Sequence, residues 1–137
     1  MDYIVFDLEW NQCPDGKERE VPALPFEIIE IGAVKLNSER KMVDKFHCLV
    51  RPVVYPKLHF RTREIVKKTE EELRQGMAFP EAVTRFLNWA GSEVQFCTWG
   101  AGDLIELQRN MKYYGKLSMI PGPVTYYDVQ KLFAIRY

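Results

Sequence analysis

The chain opens with an unbroken apolar run, Tyr3-Ile4-Val5-Phe6, that ends at Asp7-Leu8-Glu9. In extended backbone alternate side chains share a face, so Tyr3, Val5, Asp7 and Glu9 line one side while Ile4, Phe6, Leu8 and Trp10 line the other. Both sides are apolar as far as Asp7, which suits a central strand. Residues 12–25 read as a loop, with a turn at Cys13-Pro14-Asp15-Gly16 and with Pro22 and Pro25 blocking regular pairing. A second strand is expected over 27–36, where Ile28, Ile29, Ile31, Ala33 and Val34 are apolar. Asn37-Ser38-Glu39-Arg40 then forms the turn of a hairpin into a third strand over 42–50, stopped by Pro52 and Pro56.

Beyond the hairpin the period lengthens. Residues 58–75 predict short helical turns, with Thr69 as an N-cap and Glu72 completing a capping box. Ala82, Val83, Phe86, Leu87 and Ala90 recur at helical spacing over 79–90, where Pro80 suits the first turn and Gly91 ends the helix. A buried strand over 94–99, a turn at Gly100-Ala101-Gly102 and a helix over 103–114 closed by Gly115 follow. A fifth strand over 124–127 leads through Asp128 into a helix starting near Val129. The order predicts an α/β fold, a mixed sheet with helices on its faces.

Composition narrows the class. At 137 residues the chain has the size of one domain. Its 47% hydrophobic and 13% aromatic content excludes a disordered chain. No run is long and apolar enough to span a bilayer, and the N-terminus carries no secretion-signal pattern, so no membrane partner and a cytoplasmic location are expected. Cys13, Cys48 and Cys97, odd in number and widely spaced, give neither a disulfide framework nor a zinc pattern, and read as reduced thiols. With 19 basic and 19 acidic residues the net charge is zero. Any nucleic-acid contact would therefore be local, and Lys57, Arg61, Arg63, Lys67 and Lys68 either track phosphates or form a solvated face.

The candidate chemistry begins at the end of the first strand. Asp7 and Glu9 share a face, and two like charges at the end of a buried element are costly unless a cation or donors compensate them. The pair therefore invites a metal ion; the alternative is a strand running into solvent with an acidic end. Asp103 opens a helix, where the dipole and free amides favour a carboxylate, and on its own it reads as a simple cap. Trp10 either stacks on a base or packs against a neighbouring helix. Glu30 on a central strand satisfies local backbone donors in preference to touching metal, His47 is an ordinary strand residue, His59 is a loop residue with substrate contact as its lesser alternative, and Phe86, Trp89, Phe96 and Trp99 are core.

Taken in order, Asp7-Leu8-Glu9, the segment Glu27-Ile28-Ile29-Glu30-Ile31-Gly32-Ala33-Val34, Phe79-Pro80-Glu81-Ala82 opening a helix, and Trp99-Gly100-Ala101-Gly102-Asp103 resemble the DEDD exonuclease superfamily. Within it, the chain is most similar to the DEDDh-type histone-mRNA exonuclease and sporulation-inhibitor group. The resemblance implies an RNase H-like fold, a five-stranded mixed sheet flanked by helices. It implies that Asp7, Glu9 and Asp103 hold two Mg²⁺ or Mn²⁺ ions, hard cations that prefer oxygen ligands, and that Trp10 and Asn11 lie where the terminal nucleotide is gripped. The implied function is metal-dependent 3′-to-5′ exonuclease action on single-stranded nucleic acid ends, RNA ahead of DNA. The third motif of the family, His or Tyr ahead of a final Asp after the fifth strand, is missing. Residues 1–137 thus read as a single exonuclease domain truncated before its C-terminal helices. Two alternatives are a catalytically inactive exonuclease-like domain that binds nucleic acid or a protein, and an unrelated α/β regulatory domain with an incidental acidic pair.

Overall fold

The structure, a computed structural model, describes residues 1–98, 100–119 and 126–128, with backbone alone for the last three. The strands are β1 (Asp2–Gln12), β2 (Phe26–Leu36), β3 (Met42–Leu49), β4 (Val94–Thr98) and β5 (Tyr126–Asp128), and the helices are α1 (Phe60–Ile65), α2 (Glu70–Arg74), α3 (Phe79–Ala90) and α4 (Gly102–Tyr113). They build one mixed sheet of order β3-β2-β1-β4-β5. The β1/β2 and β2/β3 pairs are antiparallel and the β1/β4 and β4/β5 pairs parallel. Trp99, Val124, Thr125 and the helix expected from Val129 lie outside the described residues.

Local sequence accounts for most boundaries. Asn37 Oδ1 accepts the amides of Glu39 and Lys41 at 2.9 and 3.0 Å, which closes the hairpin turn, and Arg40 adopts φ 64° there. Thr69 and Glu72 form the expected capping box on α2. The third strand stops one residue earlier than expected, because Val50 leaves β3 and bridges to Met77.

The faces of β1 are unequal, contrary to the uniformly apolar reading. Ile4, Phe6 and Leu8 are buried, whereas Tyr3, Val5 and Glu9 are half-buried and Asp7 is exposed. The buried face joins Phe79, Ala82, Val83 and Phe86 of α3 and Leu104, Leu107 and Met111 of α4 in one core cluster. Phe6 meets Phe86 and Phe96 at ring-centroid distances of 5.8 and 5.9 Å. A second cluster, Ile29, Leu58, Val66 and Leu73, sits under the 58–75 segment. One irregularity creates it: β1 and β2 pair Glu9 with Glu30 but Trp10 with Ile28, so Ile29 is bulged out of register. That bulge falls immediately after Glu9.

Two buried polar residues fix the loop that follows β3. Asn11 is fully buried, donates from Nδ2 to the carbonyls of Tyr55 and Lys57 at 2.9 and 3.0 Å, and accepts the His59 amide at 2.9 Å. Glu27, 3% exposed, accepts the amides of Val53, Val54 and Tyr55 at 2.9, 3.0 and 2.8 Å. Each replaces the pairing that Pro52 and Pro56 deny to that stretch. Cys13, Cys48 and Cys97 are buried free thiols.

Candidate active site

Parallel pairing of β1 with β4 brings the C-terminal ends of two strands side by side, the edge where open α/β sheets bind their ligands. Asp7 lies two residues beyond Val5, which is in register with Cys97. After β4, the buried Thr98 donates from Oγ1 to the Gly100 carbonyl, and Gly100 takes φ 93°, turning the chain into α4. The turn delivers Asp103 to β1. Asp103 Oδ2 accepts the Leu8 amide at 3.1 Å, between the two carboxylates of the first strand.

This contact resolves one open reading. Ala101 is the N-cap of α4 and no side chain caps it, so Asp103 is not spent on its own helix. It crosses to β1, where burial first, then a hydrogen bond with Asp7 and the charges of Asp7 and Glu9, push its carboxyl up to about 6 against the lowering effect of the Leu8 amide. Glu9 is raised as well, by burial and by the charges of Asp7 and Glu30. No Lys or Arg is among the groups that shift either carboxyl. Among the described residues the cluster therefore concentrates negative charge with no Lys or Arg offsetting it, and oxygen donors so placed suit a hard divalent cation. The three side chains do not yet enclose one: among the described residues no group of three or more His, Cys, Asp or Glu is arranged to hold a metal ion.

Gly32 of β2 lies opposite Asp7, and Glu30 opposite Glu9. Glu30 does not serve backbone donors, as the sequence reading had it; its carboxylate lies 2.5 Å from Nε2 of the exposed His47 across the β2/β3 hairpin.

Trp10 and Asn11 separate. Trp10 is half-buried, packs its ring 5.8 Å from Phe26, and lines a slot of about 240 Å³ with Leu8, Glu9, Gln12, Arg61, Thr62, Ile65 and Val66. Asn11 corrects the sequence reading: fully buried and with both side-chain polar atoms engaged by backbone, it has no surface to offer a nucleotide and instead anchors the wall of the slot. The wall itself is α1, whose Arg61 and Arg63 the sequence offered as phosphate-tracking residues but whose Phe60 it did not single out. Its available signal was the interleaving of aromatic and basic residues in His59-Phe60-Arg61.

A family model for exonucleases (RNase_T) matches residues 4–121. This chain belongs to the exonuclease family. It is 34% identical over 112 residues to the probable 3′-5′ exonuclease KapD of Bacillus subtilis (strain 168), covering 80% of this chain and 53% of that protein, so it spans about half of that relative's length. The nuclease domain of 3′hExo, a DEDDh family member, bound to rAMP superposes with a TM-score of 0.79 at 21% identity, over 98% of this chain and 69% of that one. A 3′-exonuclease in a structure of 3′-end-specific recognition of the histone mRNA stem-loop superposes with a TM-score of 0.68 at 21% identity, over 82% and 52%. The two superpositions establish the fold, and with the family match they support the DEDDh resemblance of the motifs.

Proposed function

We propose that this chain is the carboxylate-bearing part of a 3′-to-5′ exonuclease that hydrolyses phosphodiester bonds at the 3′ end of single-stranded nucleic acid, RNA ahead of DNA. The observation that carries the reading is the Asp103 carboxylate on the Leu8 amide, beside Asp7 and Glu9. Asp7, Glu9 and Asp103 would hold Mg²⁺ or Mn²⁺. Two such ions supply charge neutralisation at the phosphate and an activated water. The residues themselves supply position: β1 fixes Asp7 and Glu9 at one spacing, and the turn after β4 fixes Asp103. The RNA preference rests on the group to which the motifs are most similar, one of whose members recognises the 3′ end of a histone mRNA stem-loop.

The sequence contains two histidines, His47 and His59, and neither heads the family's third motif. On this reading residues 1–137 are one exonuclease domain that holds the Asp7, Glu9 and Asp103 part of the site, and neither histidine is its general base. The second reading, a domain that binds without catalysis, is favoured by the incomplete carboxylate group. Mn²⁺ titration followed by calorimetry, together with digestion of a 5′-labelled RNA, separates the two. The exonuclease reading expects weak Mn²⁺ binding that Asp7→Asn abolishes, slow or undetectable trimming by this chain, and turnover once the third motif is appended. Mn²⁺ binding unaffected by Asp7→Asn, or an appended chain that binds RNA without trimming it, would refute it.

A further inference from the structure

Beside the slot lies a second, larger cleft that the carboxylate site does not use. It measures about 550 Å³ and is lined by Gln12, Lys17, Phe26, His59, Phe60 and Arg61, among others. Gln12 and Arg61 border both cavities, so slot and cleft adjoin, with Glu9 in the lining of the first and Lys17 in the lining of the second. The slot, at about 240 Å³, falls below the roughly 300–1,000 Å³ of small-ligand sites and accepts no more than part of one nucleotide.

The wall of the cleft has features that the fold does not require. Phe60 is 62% exposed at the start of the six-residue helix α1 and belongs to neither core cluster. Its ring stacks on His59 at 4.5 Å with a 29° interplanar angle, and the Arg61 guanidinium lies 5.6 Å from its centroid. His59 is oriented too. Its Nδ1 accepts the Arg61 amide at 3.1 Å, so the neutral ring carries its proton on Nε2, which has no partner among the described residues. A preformed aromatic face with cationic donors around it is the recognition chemistry of single-stranded nucleic acid: bases stack on the ring and phosphates meet the donors. Lys17 and Arg61 outnumber Glu20, the acidic residue of the lining.

We propose that this cleft holds the nucleotides preceding the 3′-terminal one, with a base stacked on Phe60 and a phosphate on Lys17 and His59 Nε2. The inference rests on the proposed exonuclease site, and it gives the strand a direction: terminal nucleotide at Glu9, the upstream chain out past Phe60. The site would then read at least a short oligonucleotide, not a single nucleotide.

The test compares adenosine 5′-monophosphate with phosphorothioate-linked RNA of two to four residues, which resists trimming, by fluorescence competition against the purified chain in Mn²⁺ buffer. Extension from one to three nucleotides should tighten binding at least about fivefold, the lower end of one stacked base. Phe60→Ala and Lys17→Ala should each remove most of that gain while leaving the mononucleotide affinity unchanged, and Phe60→Trp should retain it. Both side chains are exposed, so the fold is not at stake. Equal affinity for mononucleotide and trinucleotide, or a trinucleotide affinity indifferent to Phe60→Ala, overturns the cleft while leaving the carboxylate site standing. Failure of wild-type protein to bind either ligand overturns both.

Discussion

Replacing Asp103 by Asn tests whether the carboxylate cluster is a site or a scaffold. In the folded chain burial and the neighbouring Asp7 and Glu9 move the Asp103 carboxyl from its ordinary 3.8 up to about 6. Between about pH 4 and pH 6 the folded state therefore binds more protons than the unfolded one, and stability falls as pH rises through that window. Above it the full penalty is present. A shift of about two units corresponds to about 3 kcal/mol as a ceiling. Asp103 is only half-buried, and solvent screening reduces this to about 1–2 kcal/mol. Asn keeps an acceptor for the Leu8 amide and removes the charge facing Asp7 and Glu9. Asp103→Asn should therefore melt about 3–6 °C higher than wild type at pH 7.5 in EDTA, and the gap should close towards pH 4, where wild-type Asp103 is protonated. Excess Mn²⁺ should raise the wild-type melting temperature and leave the variant nearly unmoved. Thermal melts at the two pH values, with and without Mn²⁺, read all of this. A variant less stable at pH 7.5, or a gain equal at both pH values, would show that Asp103 is a structural residue and that its charge is not under strain.

Further expectations follow from single contacts. Asn11→Ala leaves the Tyr55 and Lys57 carbonyls and the His59 amide without their partner, and urea denaturation should show a loss of about 2–4 kcal/mol. A Cβ on Gly76 would lie 2.8 Å from the Leu49 carbonyl oxygen and 3.0 Å from the Arg51 nitrogen; Gly76→Ala should cost about 1–3 kcal/mol on the same scale, and an unchanged denaturation midpoint would mean that the 49–51 backbone yields. Glu27→Gln keeps the size of a side chain that takes three amides but puts a donor where an acceptor is needed. It should lower the midpoint and speed proteolysis near residues 53–55, detectable by mass spectrometry.

What could be read in the sequence follows the range of the forces involved. The helix over 79–90 and the capping box at Thr69 and Glu72 are set by neighbours within one or two turns, and the structure reproduces both. The hairpin after β2 is likewise local, closed by the side chain of Asn37. The inequality of the two faces of β1 was not legible, because Tyr3 and Val5 are apolar wherever they point, and only the packing of α3 and α4 on the other side decides which face is buried. Asn11 was misread for a related reason. A polar residue after an acidic pair looks like a ligand contact until the segment 55–59, whose backbone it satisfies, is placed beside it.

The candidate site shows the same division in its parts. Asp7 and Glu9 declare themselves through strand alternation, a relation that spans two residues. Asp103 declares itself only as an acid near a helix start, and its sequence environment fits a cap as well as a ligand. What separates the two is the register of β1 with β4 across more than ninety positions, which puts the turn after Thr98 against Leu8. Had Asp103 capped α4, the first turn of the helix would be satisfied and the Leu8 amide would need another acceptor. The structure has it the other way: Ala101 caps nothing with its side chain, and the carboxylate sits half-buried among like charges. Carboxyls raised by burial and like charges mark functional sites more often than structural ones, and this placement of Asp103 is the physical ground for the proposal that Asp7, Glu9 and Asp103 hold divalent cations.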